Sequence, residues 1–152
     1  MISTSEHTTS MELSFPSELG FEVIARDAVA AFARRMGLAA DRVEDLKTAL
    51  SEACINAIEH GNSLSPGTRV AVVCHCDAER LLVEVHDQGL QSYTPKGDPL
   101  SISDKLAGLG PLRGMGLMLI AQLTDESGYR SDGEAGNCFW LAYFRQPVVG
   151  CR

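Results

Sequence analysis

Between Asp41 and Asn62 the residues Leu46, Ala49, Leu50, Ala53 and Ala57 recur at three- and four-residue steps, the period of an α-helix with one apolar stripe. Asp41 followed by Glu44 predicts a capping-box start, because both carboxylates can accept hydrogen bonds from first-turn amides that otherwise lack partners. Gly61 and Asn62 predict the stop. Ile55 and Ile58 fall on the other side of the helix, so Glu52, Asn56 and Glu59 share a narrow polar face with apolar flanks. Burying a carboxylate and an amide among apolar neighbours is costly, which predicts a polar pocket with something in it. The other reading of the same residues is a helix edge whose Glu52 and Glu59 reach water.

The chain around this helix has 152 residues, 45% of them hydrophobic, enough for one globular domain with a substantial core. Its net charge of -7, with nothing in the chain offering a basic stripe for phosphates, argues against nucleic-acid binding and weakly favours protein partners. Residues 1–10 are Ser/Thr-rich, with neither a basic start nor an apolar run. They predict a disordered tail rather than a signal peptide, with the domain over 11–145 and a second short tail over 146–152. No apolar run approaches the roughly 20 residues that span a bilayer, which predicts a cytoplasmic protein without a membrane partner. The cysteines Cys54, Cys74, Cys76, Cys138 and Cys151 are an odd set, read as reduced thiols. In a strand Cys74 and Cys76 share one face and His75 the other, and no second ligand pair follows, so Cys74-His75-Cys76 reads as small buried residues rather than a metal site.

Alternation predicts a short strand over Met11–Phe15, then a helix from about Glu18 to Met36 with Leu19, Val23, Ala28, Ala31 and Phe32 inward and Gly37 ending it. After the central helix, a Pro- and Gly-containing turn leads to strands over Arg69–Cys76 and Leu81–His86, a hairpin that delivers Asp87 to a strand end. The 25 residues from Gln88 to Leu112 hold four glycines and three prolines with little periodicity, a lid or binding segment. A short helix over Gly116–Leu123 and a last, aromatic-rich strand over Asn137–Phe144 follow. The pattern predicts an α+β, two-layer sandwich: helices on one face of a mixed, mostly antiparallel sheet.

Three groups of residues in this order carry a resemblance. Glu52-x-x-x-Asn56-Ala-x-x-His60-Gly61 resembles the N box of the ATPase superfamily of gyrase, Hsp90, histidine kinases and MutL. Asp87-Gln88-Gly89 resembles its Asp-x-Gly box, and Gly114-Met115-Gly116, after Arg113, its Gly-x-Gly box. With the run Glu44-Asp-Leu-Lys-Thr-Ala-Leu-Ser-Glu-Ala53, the chain is similar to the anti-sigma-factor serine kinases from about Leu13 to Phe144.

The resemblance implies the Bergerat (histidine kinase-like ATPase) fold, with ATP and Mg²⁺ as cofactors. It implies Asn56 as the Mg²⁺ ligand, Glu52 as general base, Asp87 as acceptor of the adenine amino group, and Gly89 as the close approach for the base. His60 takes a secondary role, Gly114, Met115 and Gly116 surround the phosphates, and Arg113 contacts the terminal one. The implied partners are a small STAS-type anti-sigma-factor antagonist, phosphorylated on serine, a sequestered sigma factor, and a second copy in a homodimer. The rival reading is a nucleotide-binding interaction module without phosphotransfer. Three departures are visible: Gly136-Asn137 stands where many relatives carry Gly-Thr, Asp87-Gln88-Gly89-Leu90-Gln91 lacks the second glycine common in histidine kinases, which fits the anti-sigma branch better, and Gly108-Leu109-Gly110 is a second candidate phosphate loop.

Overall fold

Alternation in the strand segments sets one face of each strand against the helices, and the pairing follows. The structure, a computed structural model, describes residues 7–89, 115–131 and 135–145, and of Met115 and Gly116 the backbone alone. In chain order the elements are β1 (Thr9–Pro16), α1 (Phe21–Arg35), α2 (Ala40–Asn56), a π-helical turn (Ala57–Gly61), β2 (Arg69–Cys76), β3 (Arg80–His86), α3 (Met115–Gln122), β4 (Glu126–Ser131) and β5 (Asn137–Phe144). The described strands form one five-stranded sheet in the order β1-β2-β3-β5-β4, every pairing antiparallel. Helices on one face of such a sheet are the expected two-layer α+β sandwich. Among the described residues no helix is long and apolar enough to cross a membrane.

The core lies between the layers. Val70, Val72 and Cys74 of β2, Leu81, Val83 and Val85 of β3, and Leu141 and Tyr143 of β5 meet Ala25, Val29, Ala33, Leu46, Ala49, Leu50 and Ala53 of the helices. The stripe expected on α2 is buried throughout. Because α2 packs against α1, α3 and β5, its buried arc is wider than one stripe and also takes in Val43 and Cys54, and the π turn that follows buries Ile58. Truncating Leu46 or Leu50, each fully buried, costs about 2–5 kcal/mol.

Several local expectations are corrected. β1 begins at Thr9, two residues earlier than the alternation suggested. α1 starts at Phe21 after Gly20 and ends at Arg35, and its inward face is Ala25, Val29, Ala30 and Ala33. Leu19, Val23 and Ile24 are 52%, 41% and 60% exposed, because the close approach to α2 selects the row of small residues over the larger ones. α2 starts at Ala40 with Ala39 as its cap and no side-chain cap bond, so Asp41 is a first-turn residue that favours the positive helix end by its charge and not by a capping box. The helix is not continuous to Asn62 but widens into the π turn.

β4, sequence Glu-Ser-Gly-Tyr-Arg-Ser, has no apolar alternation and was not foreseen; pairing with β5 forms it. Gly128 sits opposite Trp140, where any side chain would run into the indole. Arg42 on α2 anchors the segment entering β4. Its guanidinium pairs with Asp125 at 2.9 Å and Asp45 at 2.8 Å and lies over the Tyr143 ring, 4.8 Å from the centroid. At the β2–β3 turn, Asp77 Oδ1 accepts the amides of Glu79 (2.7 Å) and Arg80 (2.9 Å), closing the hairpin that presents Asp87.

Candidate functional site

The site is built where the π turn meets the end of β3. The amide of Asn62 donates to the Ala57 carbonyl at 2.8 Å, a five-residue step that inserts one residue into the helical ladder. The wider turn carries Gly61 onto the Asp87 side chain and sets its carbonyl against Gly89. A Cβ on Gly61 would strike the Asp87 carboxylate, and one on Gly89 would strike the Gly61 carbonyl. The first and second boxes are thus in contact because neither residue has a side chain.

Asn62 fastens the same junction. Its Nδ2 donates to Ser17 Oγ at 2.6 Å and to the Arg69 carbonyl at 3.0 Å, and its Oδ1 accepts the Gln88 amide at 2.6 Å. One buried side chain therefore joins the loop after β1, the start of β2 and the residue after Asp87. Gln88 returns the contact, its Oε1 accepting the Arg69 amide at 2.7 Å.

Asp87 is 3% exposed. Its Oδ1 accepts three donors, the amides of Gly89 (2.9 Å) and Asn137 (3.0 Å) and the Asn137 Nδ2 (3.0 Å). Oδ2 has a longer contact with the same Nδ2, 3.3 Å. The carboxylate is thereby fixed in rotation with one oxygen saturated and the other able to take a further N–H donor. Burial lifts its pKa above the ordinary carboxylate value, against the pull of these donors. Gly136, at φ +94, passes so close to the Asp87 carbonyl that no side chain fits there.

Asn137 is the functional residue that sequence reasoning did not place. Its Oδ1 accepts the Tyr129 hydroxyl at 2.8 Å, which orients the amide so that Nδ2 faces Asp87. The departure from Gly-Thr therefore supplies a donor to the Asp87 carboxylate. The only sequence signal was that departure itself.

On α2, Glu52 and Asn56 lie one turn apart on one face; Glu52 is half-buried and Asn56 is 2% exposed. Among the described residues the Asn56 Nδ2 has no hydrogen-bond partner, so no bond fixes which end of the amide faces outward. A buried, uncommitted amide is the donor set expected of a hard-cation oxygen ligand. The edge reading concerned Glu52 and Glu59, and both are half-buried. His60, half-buried, stands in the π turn. Met115 and Gly116 open α3, which packs on α2. Arg113, Gly114 and the rival Gly108-Leu109-Gly110 lie outside the described residues, as do most of the expected lid and Cys151.

Residues 15–143 match the family described as the histidine kinase-like ATPase domain. The chain is 34% identical over 125 residues to the serine-protein kinase RsbW of Bacillus cereus (strain Q1), which covers 80% of this chain and 77% of the relative. The RsbW of Bacillus anthracis matches to the same extent. In fold the chain is similar to the crystal structure of the RsbU and RsbW domains of a Mycobacterium tuberculosis protein, with a TM-score of 0.59 and 18% identity. That match spans 91% of this chain and 33% of the other. Through the matched residues 15–143 and these relatives, the chain belongs to the histidine kinase-like ATPase domain family.

Proposed function

We propose that this protein is an ATP-dependent serine-protein kinase of the anti-sigma-factor type, a single domain that begins with β1 at Thr9 rather than at residue 11 and runs to about residue 145. The observation that carries the reading is the Glu52–Asn56 face of α2, one edge buried and uncommitted, in a chain 34% identical to serine-protein kinases. The Asp87 Oδ2 accepts the adenine amino group while Oδ1 stays occupied by Gly89 and Asn137. Such a buried acceptor selects a donor at that edge and disfavours guanine, which presents a carbonyl there. Gly89 keeps the backbone close beneath the base.

Asn56 is the residue assigned to Mg²⁺, which when bound supplies charge neutralisation to the phosphates. Glu52 orients the serine hydroxyl of the substrate and takes its proton. His60 borders the nucleotide, and Arg113, Gly114, Met115 and Gly116 are assigned to the phosphates at the start of α3. The serine belongs to a small STAS-type antagonist. The sigma factor is the second partner, the active form is a homodimer, and the place of action is the cytoplasm.

The test is incubation of the protein and Mg-ATP with the cognate antagonist, followed by phosphoserine detection. Phosphoserine is expected, and Glu52→Ala should keep ATP binding while losing transfer by about 10²–10⁴-fold. Absence of phosphoserine with wild-type protein, or undiminished transfer by Glu52→Ala, overturns the assignment. An intact partner response without transfer would favour the interaction module.

A further inference from the structure

We propose a transition-metal site, suited to Zn²⁺, formed by Glu84, His86 and Cys138 on the sheet face away from the helices. Side chains alternate along a strand, so the burial of Val83 and Val85 in the core sends Glu84 and His86 to the opposite face. On β5 the same alternation turns Leu141 inward and Cys138 outward, directly across from His86. The three residues come from two neighbouring strands of a rigid sheet, which holds their Cα positions without help from any loop.

The distances suit an ion. His86 Nε2 is 3.9 Å from Glu84 Oε1, Cys138 Sγ is 3.9 Å from Glu84 Oε2, and Cys138 Sγ is 3.9 Å from His86 Nε2. The whole ligand set lies within 4.8 Å. A tetrahedral Zn²⁺, bonded at about 2.0–2.3 Å, sets its ligand atoms roughly 3.4–3.6 Å apart; the Glu84 carboxylate faces His86 with Oε1 and Cys138 with Oε2, so it turns one oxygen to the ion, or binds through both, as the set closes. Imidazole, carboxylate and thiol together are a borderline set that favours Zn²⁺ over Mg²⁺ or Ca²⁺. Binding releases the Cys138 thiol proton to solvent, leaving the thiolate on the metal.

Two neighbours shape the site. His75 Nε2 is 3.3 Å from Glu84 Oε1 and its Nδ1 is 3.2 Å from Ser10 Oγ, which holds a second imidazole against the carboxylate. Arg130 Nη2, 3.6 Å from Glu84 Oε2, competes for that carboxylate, and its side chain is 51% exposed. Cys74 and Cys76 take no part, being buried on the helix side. The site stands apart from the nucleotide reading, although His86 and Cys138 directly adjoin Asp87 and Asn137.

The experiment uses the untagged full chain, stripped with chelator and titrated with Co²⁺ and then with Zn²⁺. One equivalent of Co²⁺ should give a thiolate-to-metal charge-transfer band that Zn²⁺ removes. Cys138→Ser should abolish the band, His86→Gln should weaken binding by more than about tenfold, and Cys76→Ser should change neither. His86→Gln, at a half-exposed position, serves should Cys138→Ser fail to fold. Absence of stoichiometric binding, a Co²⁺ spectrum without the thiolate band, or a band that survives Cys138→Ser overturns the proposal.

Discussion

Replacing Asn137 with alanine isolates the side chain that holds the Asp87 carboxylate. The backbone pairing survives, since the Asn137 amide still reaches Asp87 Oδ1 at 3.0 Å and the Asp87 amide still reaches the 137 carbonyl at 3.0 Å. What disappears is the Nδ2 donor, 3.0 and 3.3 Å from the two carboxylate oxygens, and the acceptor for Tyr129 at 2.8 Å. A hydrogen bond to a charged group contributes about 1.5–3 kcal/mol and a neutral one about 1 kcal/mol, so Asn137→Ala should destabilise the fold by about 3 kcal/mol. Tyr129→Phe removes the neutral bond alone and should cost about 1 kcal/mol. Because the tyrosine hydroxyl acts through the amide, the double variant should cost no more than Asn137→Ala by itself. Urea unfolding with unchanged m-value measures all three. The freed carboxylate also loses its orientation, so Mg-ATP affinity should fall by about tenfold or more, the equivalent of about 1.4 kcal/mol. A cost for Asn137→Ala below about 0.5 kcal/mol, or one equal to that of Tyr129→Phe, would refute the reasoning.

Gly61→Ala should drive a methyl into the Asp87 carboxylate, costing about 1–3 kcal/mol by overpacking and removing nucleotide binding; a folded variant that binds Mg-ATP normally contradicts the contact. Asn62→Ala breaks three hydrogen bonds, one buried and two partly buried, and should lower unfolding free energy by about 3 kcal/mol in urea, whereas the exposed Ser63→Ala should stay within about 0.5 kcal/mol.

Much of this fold is legible in the chain because its strands carry their own period. Arg69–Cys76 and Asn137–Phe144 form where the alternation places them, and Leu46, Ala49, Leu50, Ala53 and Ala57 are buried as their spacing requires. Failures cluster where a distant partner decides. Leu19 and Val23 look like core by size, yet the approach of α1 to α2 rewards Ala25, Val29 and Ala33. The π turn brings Gly61 against Asp87, a residue far away in sequence, and no local pattern announces it. β4 exists through its pairing with β5, and Gly128 matters only because Trp140 lies opposite.

The candidate site divides in the same way. Glu52, Asn56, Asp87 and Gly89 stand out as residue types at fixed spacings. Asn137, Tyr129 and Asn62 act through contacts that only the folded chain creates, so the sequence marks Asn62 as a helix stop and Asn137 as a departure from Gly-Thr without showing that either binds the Asp87 junction.

Calorimetric titration of Mg-ATP into the wild-type protein, Asn56→Ala and Asp87→Asn tests the central claim most directly, since it needs no partner protein. Saturable binding to wild type, weakened by about tenfold or more in both variants, is the predicted result. Folded wild-type protein that binds no nucleotide, or variants that bind as tightly as wild type, would contradict it.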